Sequence, residues 1–166
     1  MYLLELARPE HVERCCAILR DGRAFQREQG FVQWTDGYPG VAAVENDIQT
    51  QKGYVLRVDG EIAGYMCVDF AGEPVYDAIE GAWGADTPYA TIHRMAIGAA
   101  FRGAGLSAAA FGLIEKLCLS KGVKNIRSDT HPANLRMRHV LEKNGFSPRG
   151  VVYYQDGARL AYDKEL

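Results

Sequence analysis

Apolar residues recur along this chain with two different periods, and the changes of period mark out its elements. Tyr2 to Leu6 is a short apolar stretch that reads as a strand. Pro9 then stands at a helix-opening position, and Val12, Cys15, Cys16, Ile18 and Leu19 repeat at helical spacing, predicting a helix that fades before Gly30. Phe31 to Gly40 is turn-rich and carries Trp34, Tyr38 and Pro39, while Val41 to Gln51 reads as a second helix. Tyr54 to Val58 and Ile62 to Val68 flank Asp59-Gly60, a strong hairpin signal. Phe70 to Pro88 is rich in Gly, Pro and acids and is expected to form a long loop.

The second half alternates more regularly. Thr91 to Ile97 reads as a strand, followed by the turn Arg102-Gly103-Ala104-Gly105-Leu106-Ser107. Leu106, Ala109, Ala110, Leu113, Ile114 and Leu117 then share one helical face, which Gly122 ends. Asn125 to Thr130 is a strand. Pro132 opens a last helix whose Met137, Val140 and Leu141 are expected to face the core, and Gly145 stops it. Val151 to Tyr154 and Arg159 to Asp163 form a final hairpin around Asp156-Gly157. The order is β, two helices, a β-meander, then β-α-β-α-β-β, which implies an α/β (α+β) fold with a mixed sheet covered by helices. With no repeat and no dividing linker, residues 1–166 are expected to make a single domain.

Composition narrows the class. At 48% hydrophobic and 24% charged residues the chain is ordinary for a globular protein. No apolar run is long enough to suggest a membrane span, and Met1-Tyr2-Leu3-Leu4-Glu5 lacks the basic start of a secretory signal, so a cytoplasmic address is expected. Cys15, Cys16, Cys67 and Cys118 show no metal-ligand spacing and read as buried free thiols, a catalytic thiol being the alternative. Charge is uneven: residues 94–149 hold ten Lys or Arg against three acids (+7), leaving −9 elsewhere. Such asymmetry can steer an anion to one segment, or can simply solvate two faces. Basic and aromatic residues are not interleaved, so nucleic acid is not an expected partner.

A glycine-rich turn running into a helix gathers backbone N–H groups at the positive end of the helix dipole, which suits a phosphate or pyrophosphate. A Rossmann dinucleotide site would carry that turn after the first strand, not after the fourth. Arg102-Gly103-Ala104-Gly105-Leu106-Ser107, Asn134 and Gly145-Phe146 together, in this order and spacing, resemble the GNAT N-acetyltransferase superfamily across essentially the whole chain. Its signature is Gln or Arg, two residues, Gly, one residue, then Gly or Ala. Arg102 and Gly105 match, and Ser107 replaces the final small residue.

The resemblance implies a mostly antiparallel central sheet of about seven strands flanked by about four helices. It implies acetyl-CoA as donor, in a V-shaped opening between the fourth strand and the strand beginning near Asn125. Met95, Ala96 and Ile97 would pair with the pantetheine through their main chain. The N–H groups of Arg102, Gly103, Ala104, Gly105, Leu106 and Ser107 would hold the pyrophosphate. Asn134 would contact the pantetheine arm, and Lys143 or Arg138 the outer phosphate. A main-chain N–H of Met95 or Ile97 would stabilise the developing oxyanion.

His93, two residues before Met95, is the first candidate for the base, because histidine ordinarily titrates near neutrality; the alternative is a structural histidine. Asp129 and His131 could orient water or substrate, or serve as turn and cap residues. Many relatives carry a Tyr as acid five residues before the Phe of the Gly-Phe pair, where this chain has Leu141; Tyr153, Tyr154 or water would replace it. Trp34 and Tyr38 would wall the acceptor pocket or pin their loop, and the acidic loop around Asp77 to Asp86 could attract a cationic amine. The reading is an N-acetyltransferase moving acetyl to a primary amine of a small molecule by direct attack in a ternary complex. A peptide or protein N-acetyltransferase is the enzymatic rival, and a non-catalytic acyl-CoA-binding sensor the rival of another class. The chain is compatible with a homodimer.

Overall fold

Of the two periods, the helical one gives four helices: α1 (Val12–Glu28), α2 (Val41–Gln49), α3 (Leu106–Ser120) and α4 (Leu135–Lys143). The computed structural model describes all residues 1–166. The strands are β1 (Tyr2–Leu6), β2 (Gly53–Val58), β3 (Glu61–Asp69), β4 (Glu80–Gly81), β5 (Ala90–Ile97), β6 (Asn125–Thr130), β7 (Ser147–Tyr154) and β8 (Gly157–Glu165). They form one eight-stranded sheet in the order β1-β2-β3-β5-β6-β8-β7-β4. The β1–β2, β2–β3, β6–β8, β7–β8 and β4–β7 pairs are antiparallel, and β5–β6 is parallel. The mostly antiparallel mixed sheet matches expectation, with eight strands where about seven were expected. The additional strand is β4, in the segment expected to be pure loop; that segment also winds a 3-10 turn over Pro74–Ala78.

The chain divides into two compact units, residues 1–68 with 93–114, and residues 69–92 with 115–166. In the first, the apolar face of α1 does what its spacing predicts: Cys15, Ile18 and Leu19 are fully buried, packed with Val44 of α2, Val55 of β2, Tyr65 of β3 and Ala96 of β5. Each such aliphatic side chain contributes about 1.5–3 kcal/mol on burial. In the second, Tyr76, Val152 and Ala161 form the core, and Trp83, Tyr89 and Tyr154 pack against it. In α4 only Leu141 is buried; Met137 and Val140 are half-exposed, because a nine-residue helix lying on a sheet covers one stripe of itself.

All four cysteines are buried and unbridged. Burial pushes the Cys15 thiol up to about 12 and that of Cys118 up to about 11, which removes the thiolate a catalytic cysteine needs.

The second unit is tied together by charge as well. Asp163, almost fully buried, accepts from Arg149 Nε at 2.7 Å and from the Gly84 amide at 2.7 Å. Arg127, 5% exposed, lies 4.3 Å from the Trp83 ring centroid and 4.0 Å from that of Tyr89, and donates to the Ala85 carbonyl. The acidic loop is therefore strapped to the sheet. At its edge Gly81 faces Gly150 so closely that a Cβ on Gly150 would stand 2.1 Å from the Glu80 carbonyl oxygen. With φ of +148° at Gly150, no L side chain fits without parting the strands. Gly150→Ala should therefore lower stability by about 2–3 kcal/mol, the strain of one forbidden backbone state plus the lost β4–β7 bonds. Urea unfolding checks this, and an unchanged midpoint would mean that β4 does not hold this edge.

Candidate active site

β5 departs from a regular strand at its middle. Ala90, Thr91 and Ile92 pair with Ile126, Arg127 and Ser128 of β6, and the parallel register covers these three residues alone. Two residues later Arg94 has φ of +50°, a left-handed conformation that costs a non-glycine residue about 1–2 kcal/mol. A single left-handed residue marks a local irregularity in a strand, here just past the end of the β6 pairing, while β5 continues as a strand beside β3 to Ile97.

The side chain of Arg94 is held at two points. Its Nε donates to Asp47 Oδ2 at 2.9 Å and its Nη2 to Asp47 Oδ1 at 2.6 Å, the fork geometry that guanidinium and carboxylate share. Asp47 is 1% exposed, on the same helical face as the buried Val44. Its Oδ2 also accepts from the Tyr65 hydroxyl at 2.6 Å. Burial and that carboxylate raise the Tyr65 phenol far above its usual range, so it stays a donor. Arg94 Nη1 lies 3.4 Å from the Tyr38 hydroxyl. Breaking one partner from a buried pair of this kind costs about 3–5 kcal/mol.

After β5 the Gly98 amide bonds the Ala63 carbonyl at 2.8 Å, and a 3-10 turn over Ala99–Phe101 leads to the glycine-rich segment. α1 grips this turn: Asp21 accepts from the Ala99 amide at 2.9 Å, and Arg102 stacks 3.8 Å over the Phe25 ring. Gly103 and Gly105 have φ of +88° and +70°, and nothing lies within 4 Å of where their Cβ atoms would be. The segment 103–105 is exposed, Leu106 is buried as its anchor, and α3 begins there with unpaired opening N–H groups. An open, positively poled main-chain cradle results, which fits a diphosphate.

The other predicted residues take the following places. In the first unit His93 is half-buried on β5, and Met95 and Ile97 flank the buried Ala96. Trp34 packs into the α1 core, its ring against Gly22, and its amide bonds Gln26 Oε1 at 2.9 Å. Tyr38 is 50% exposed. In the second unit Asn134 caps α4, its side chain accepting from the Met137 amide at 3.0 Å. His131 Nδ1 accepts from the Ala133 amide, a turn role, and burial lowers its pKa. Lys143 is exposed in the last turn of α4, while Arg138 donates to the Pro132 carbonyl. Asp129 Oδ2 accepts from two phenols, Tyr76 at 2.6 Å and Tyr154 at 2.9 Å. Tyr153, on the exposed face of β7, donates to Glu80. Leu141 is in the core.

The basic surplus of residues 94–149 is largely engaged. Arg94 and Arg149 are paired with carboxylates, whereas Arg102, Lys121, Arg127 and Arg138 contact rings or carbonyls and keep their positive charge.

The Acetyltransferase (GNAT) family profile matches residues 11–146. The chain belongs to this family. A GNAT-family acetyltransferase from Streptococcus agalactiae 2603 is similar over 99% of this chain and 95% of its own, at 36% identity and a TM-score of 0.90. One from Listeria monocytogenes 4b F2365 is similar over 99% and 95%, at 25% identity and a TM-score of 0.77. The aminoglycoside acetyltransferase AAC(6')-Ib, solved with coenzyme A and kanamycin, shares the fold at 23% identity and a TM-score of 0.72, over 99% and 95%. No curated protein matches the chain.

Within this GNAT chain the residues that sequence reasoning missed are Asp47, Tyr65, Asp21, Phe25 and Tyr76. One signal was present: Asp47 interrupts the apolar stripe of α2, three residues after Val44 and one before Ile48. Asn134 has a local role that can be measured on its own. Asn134→Ala should cost about 1 kcal/mol through the lost cap, a fall in Tm of about 2–4 °C, and Asn134→Asp should restore most of it. A thermal melt of Asn134→Ala that matches the wild type would remove the cap from the stability of α4.

Proposed function

We propose that this GNAT-family chain is an acetyl-CoA-dependent N-acetyltransferase that acetylates a primary amine of a small molecule by direct attack in a ternary complex. One observation carries the reading: β5 pairs with β6 only as far as Ile92, turns left-handed at Arg94, and leads through Met95 to Ile97 and a 3-10 turn into the open cradle at the head of α3. When bound there, acetyl-CoA supplies the thioester. The main chain of Met95, Ala96 and Ile97 offers strand-like pairing to an extended arm, and Arg102 to Ser107 offer N–H groups to two phosphates. Asn134 and Lys143 are the further contacts proposed for the arm and the outer phosphate.

The protein's own contribution to the chemistry is to position an amine, take its proton and steady negative charge. His93 is the proposed base, one residue before the bend in β5. A main-chain N–H of Met95 or Ile97 is the proposed oxyanion donor, a role worth about 3–4 kcal/mol in comparable sites. Burial and then Asp129 raise the Tyr154 phenol, and the bond to Glu80 raises that of Tyr153, so both hold their protons firmly at neutral pH. That supports departure of the thiolate to water, without a dedicated acid.

The acceptor reading draws support from the exposed aromatic ring of Tyr38 and from the small-molecule amine named with AAC(6')-Ib. Trp34 supports the acceptor side by pinning its loop to α1. A single domain working in the cytoplasm completes the proposal; no helix is long and apolar enough to cross a membrane.

Acetyl-CoA titration and CoA release against polyamines, amino acids, aminoglycosides and short peptides test the reading. Wild type should bind the donor and turn over at least one small amine. Gly105→Val should weaken acetyl-CoA binding tenfold or more, because valine resists the left-handed backbone the cradle uses. His93→Ala should lower kcat by about 10²–10⁴ at unchanged donor affinity, and an unchanged rate would remove His93 from the mechanism. Tight binding without turnover on the whole panel would favour a sensor, and no binding would sink the cradle.

A further inference from the structure

The grip of Asp47 on Arg94 takes no part in the chemistry proposed above, yet it is buried and bonded at several points. A carboxylate at 1% exposure on an otherwise apolar helix face is costly, and apolar side chains of like volume would usually stabilise a core as well or better. Three donor atoms from two strands converge on Asp47: Nε and Nη2 of Arg94 from β5, and the Tyr65 hydroxyl from β3. What the contact does instead is mechanical. It restrains the one left-handed residue of β5, two residues beyond the end of the strand's pairing with β6. Four residues further on, the Gly98 amide is tied to the Ala63 carbonyl of β3 at 2.8 Å. Met95, Ala96 and Ile97 are thus suspended between two anchors, one of them made of side chains.

We infer that Asp47 is a positioning residue for acetyl transfer: by gripping the Arg94 guanidinium it locks the bend in β5, and so fixes the main chain of Met95 to Ile97 in the shape that receives the donor. The inference rests on the donor reading of those three residues. A strand segment that occupies its receptive shape only part of the time binds more weakly in proportion to that fraction. The clamp keeps the fraction near one. Arg94 is required as arginine because lysine carries the charge without the two-point fork.

The experiment compares Asp47→Asn, Arg94→Lys, Arg94→Ala and Arg94→Gly with wild type, by amide hydrogen exchange, acetyl-CoA titration and steady-state kinetics on whichever amine wild type turns over. Asp47→Asn and Arg94→Ala should speed exchange at Met95 to Ile97 by about tenfold or more and weaken acetyl-CoA binding by about the same factor. The β1–β2 amides should keep wild-type protection. Arg94→Lys, the milder change, should show the same pattern at about threefold and serves if Asp47→Asn does not fold. Arg94→Gly separates positioning from plain stability. Glycine adopts the left-handed state unaided, so this variant should bind acetyl-CoA about fivefold more tightly than Arg94→Ala, although both lack the guanidinium.

Equal affinities for Arg94→Gly and Arg94→Ala, or wild-type exchange at Met95 to Ile97 in Asp47→Asn, would overturn the clamp while leaving the donor reading intact. Failure of wild type to bind acetyl-CoA would overturn the donor reading and, with it, the role of Asp47 in transfer.

Discussion

The two-point bond between the Asp47 carboxylate and the Arg94 guanidinium, at 2.6 and 2.9 Å, is the contact around which the first unit is arranged. It joins the inner face of α2 to the middle of β5, and the Tyr65 hydroxyl adds β3. A strand bent by a left-handed residue would relax toward a regular ladder unless something held it. Here the restraint comes from a buried carboxylate whose own desolvation is offset by three donors. The apolar contacts of Ile18, Leu19, Val44 and Ala96 supply most of the favourable energy around it, but they are indifferent to whether β5 bends. Direction comes from the polar contact.

The second unit uses buried acids in the same manner. Asp163 gathers Arg149 and the Gly84 amide, and Asp129 gathers the hydroxyls of Tyr76 and Tyr154. Each links the sheet to a segment with little secondary structure of its own. The long loop after β3 is acidic in sequence but is fastened by a cation, Arg127, lying against Trp83 and Tyr89. Its net charge, a property of the exposed acids, says little about what secures it.

Much of the architecture was legible in the sequence because it follows from period and punctuation. The Asp59-Gly60 hairpin and the stop at Gly145 stand where their patterns put them, whereas the last hairpin turns one residue earlier, at Gln155-Asp156, and the buried stripe of α3 runs through Leu106, Ala110, Phe111, Ile114 and Cys118, leaving Ala109, Leu113 and Leu117 half-buried. β4 was not legible, since two residues carry no period; its position depends on Gly150, far along the chain. The cradle from Arg102 to Ser107 was readable as a motif, and its open glycines agree with that reading. The clamp was not. Asp47, Tyr65 and Arg94 are separated by eighteen and twenty-nine residues, and nothing local distinguishes them except an acid in an apolar stripe. The basic surplus of residues 94–149 was legible as a count, but not the contacts of its members, such as Arg149 with Asp163 or Arg127 with the Ala85 carbonyl.

The four cysteines have a bearing on the chain's durability that their packing alone does not suggest. A protein proposed to release coenzyme A, a free thiol, works beside a compound whose disulfides, once formed, can exchange with free cysteines. Exchange needs a thiolate and an approach path. Cys15, Cys67 and Cys118 are at most 1% exposed and Cys16 is 7% exposed, and burial holds the thiols of Cys15, Cys16 and Cys118 above their ordinary range. The native chain therefore resists capture by disulfides formed from its proposed product. Only molecules that have opened would be captured as mixed disulfides, which makes redox chemistry a selective fate of the unfolded fraction and leaves the working population untouched.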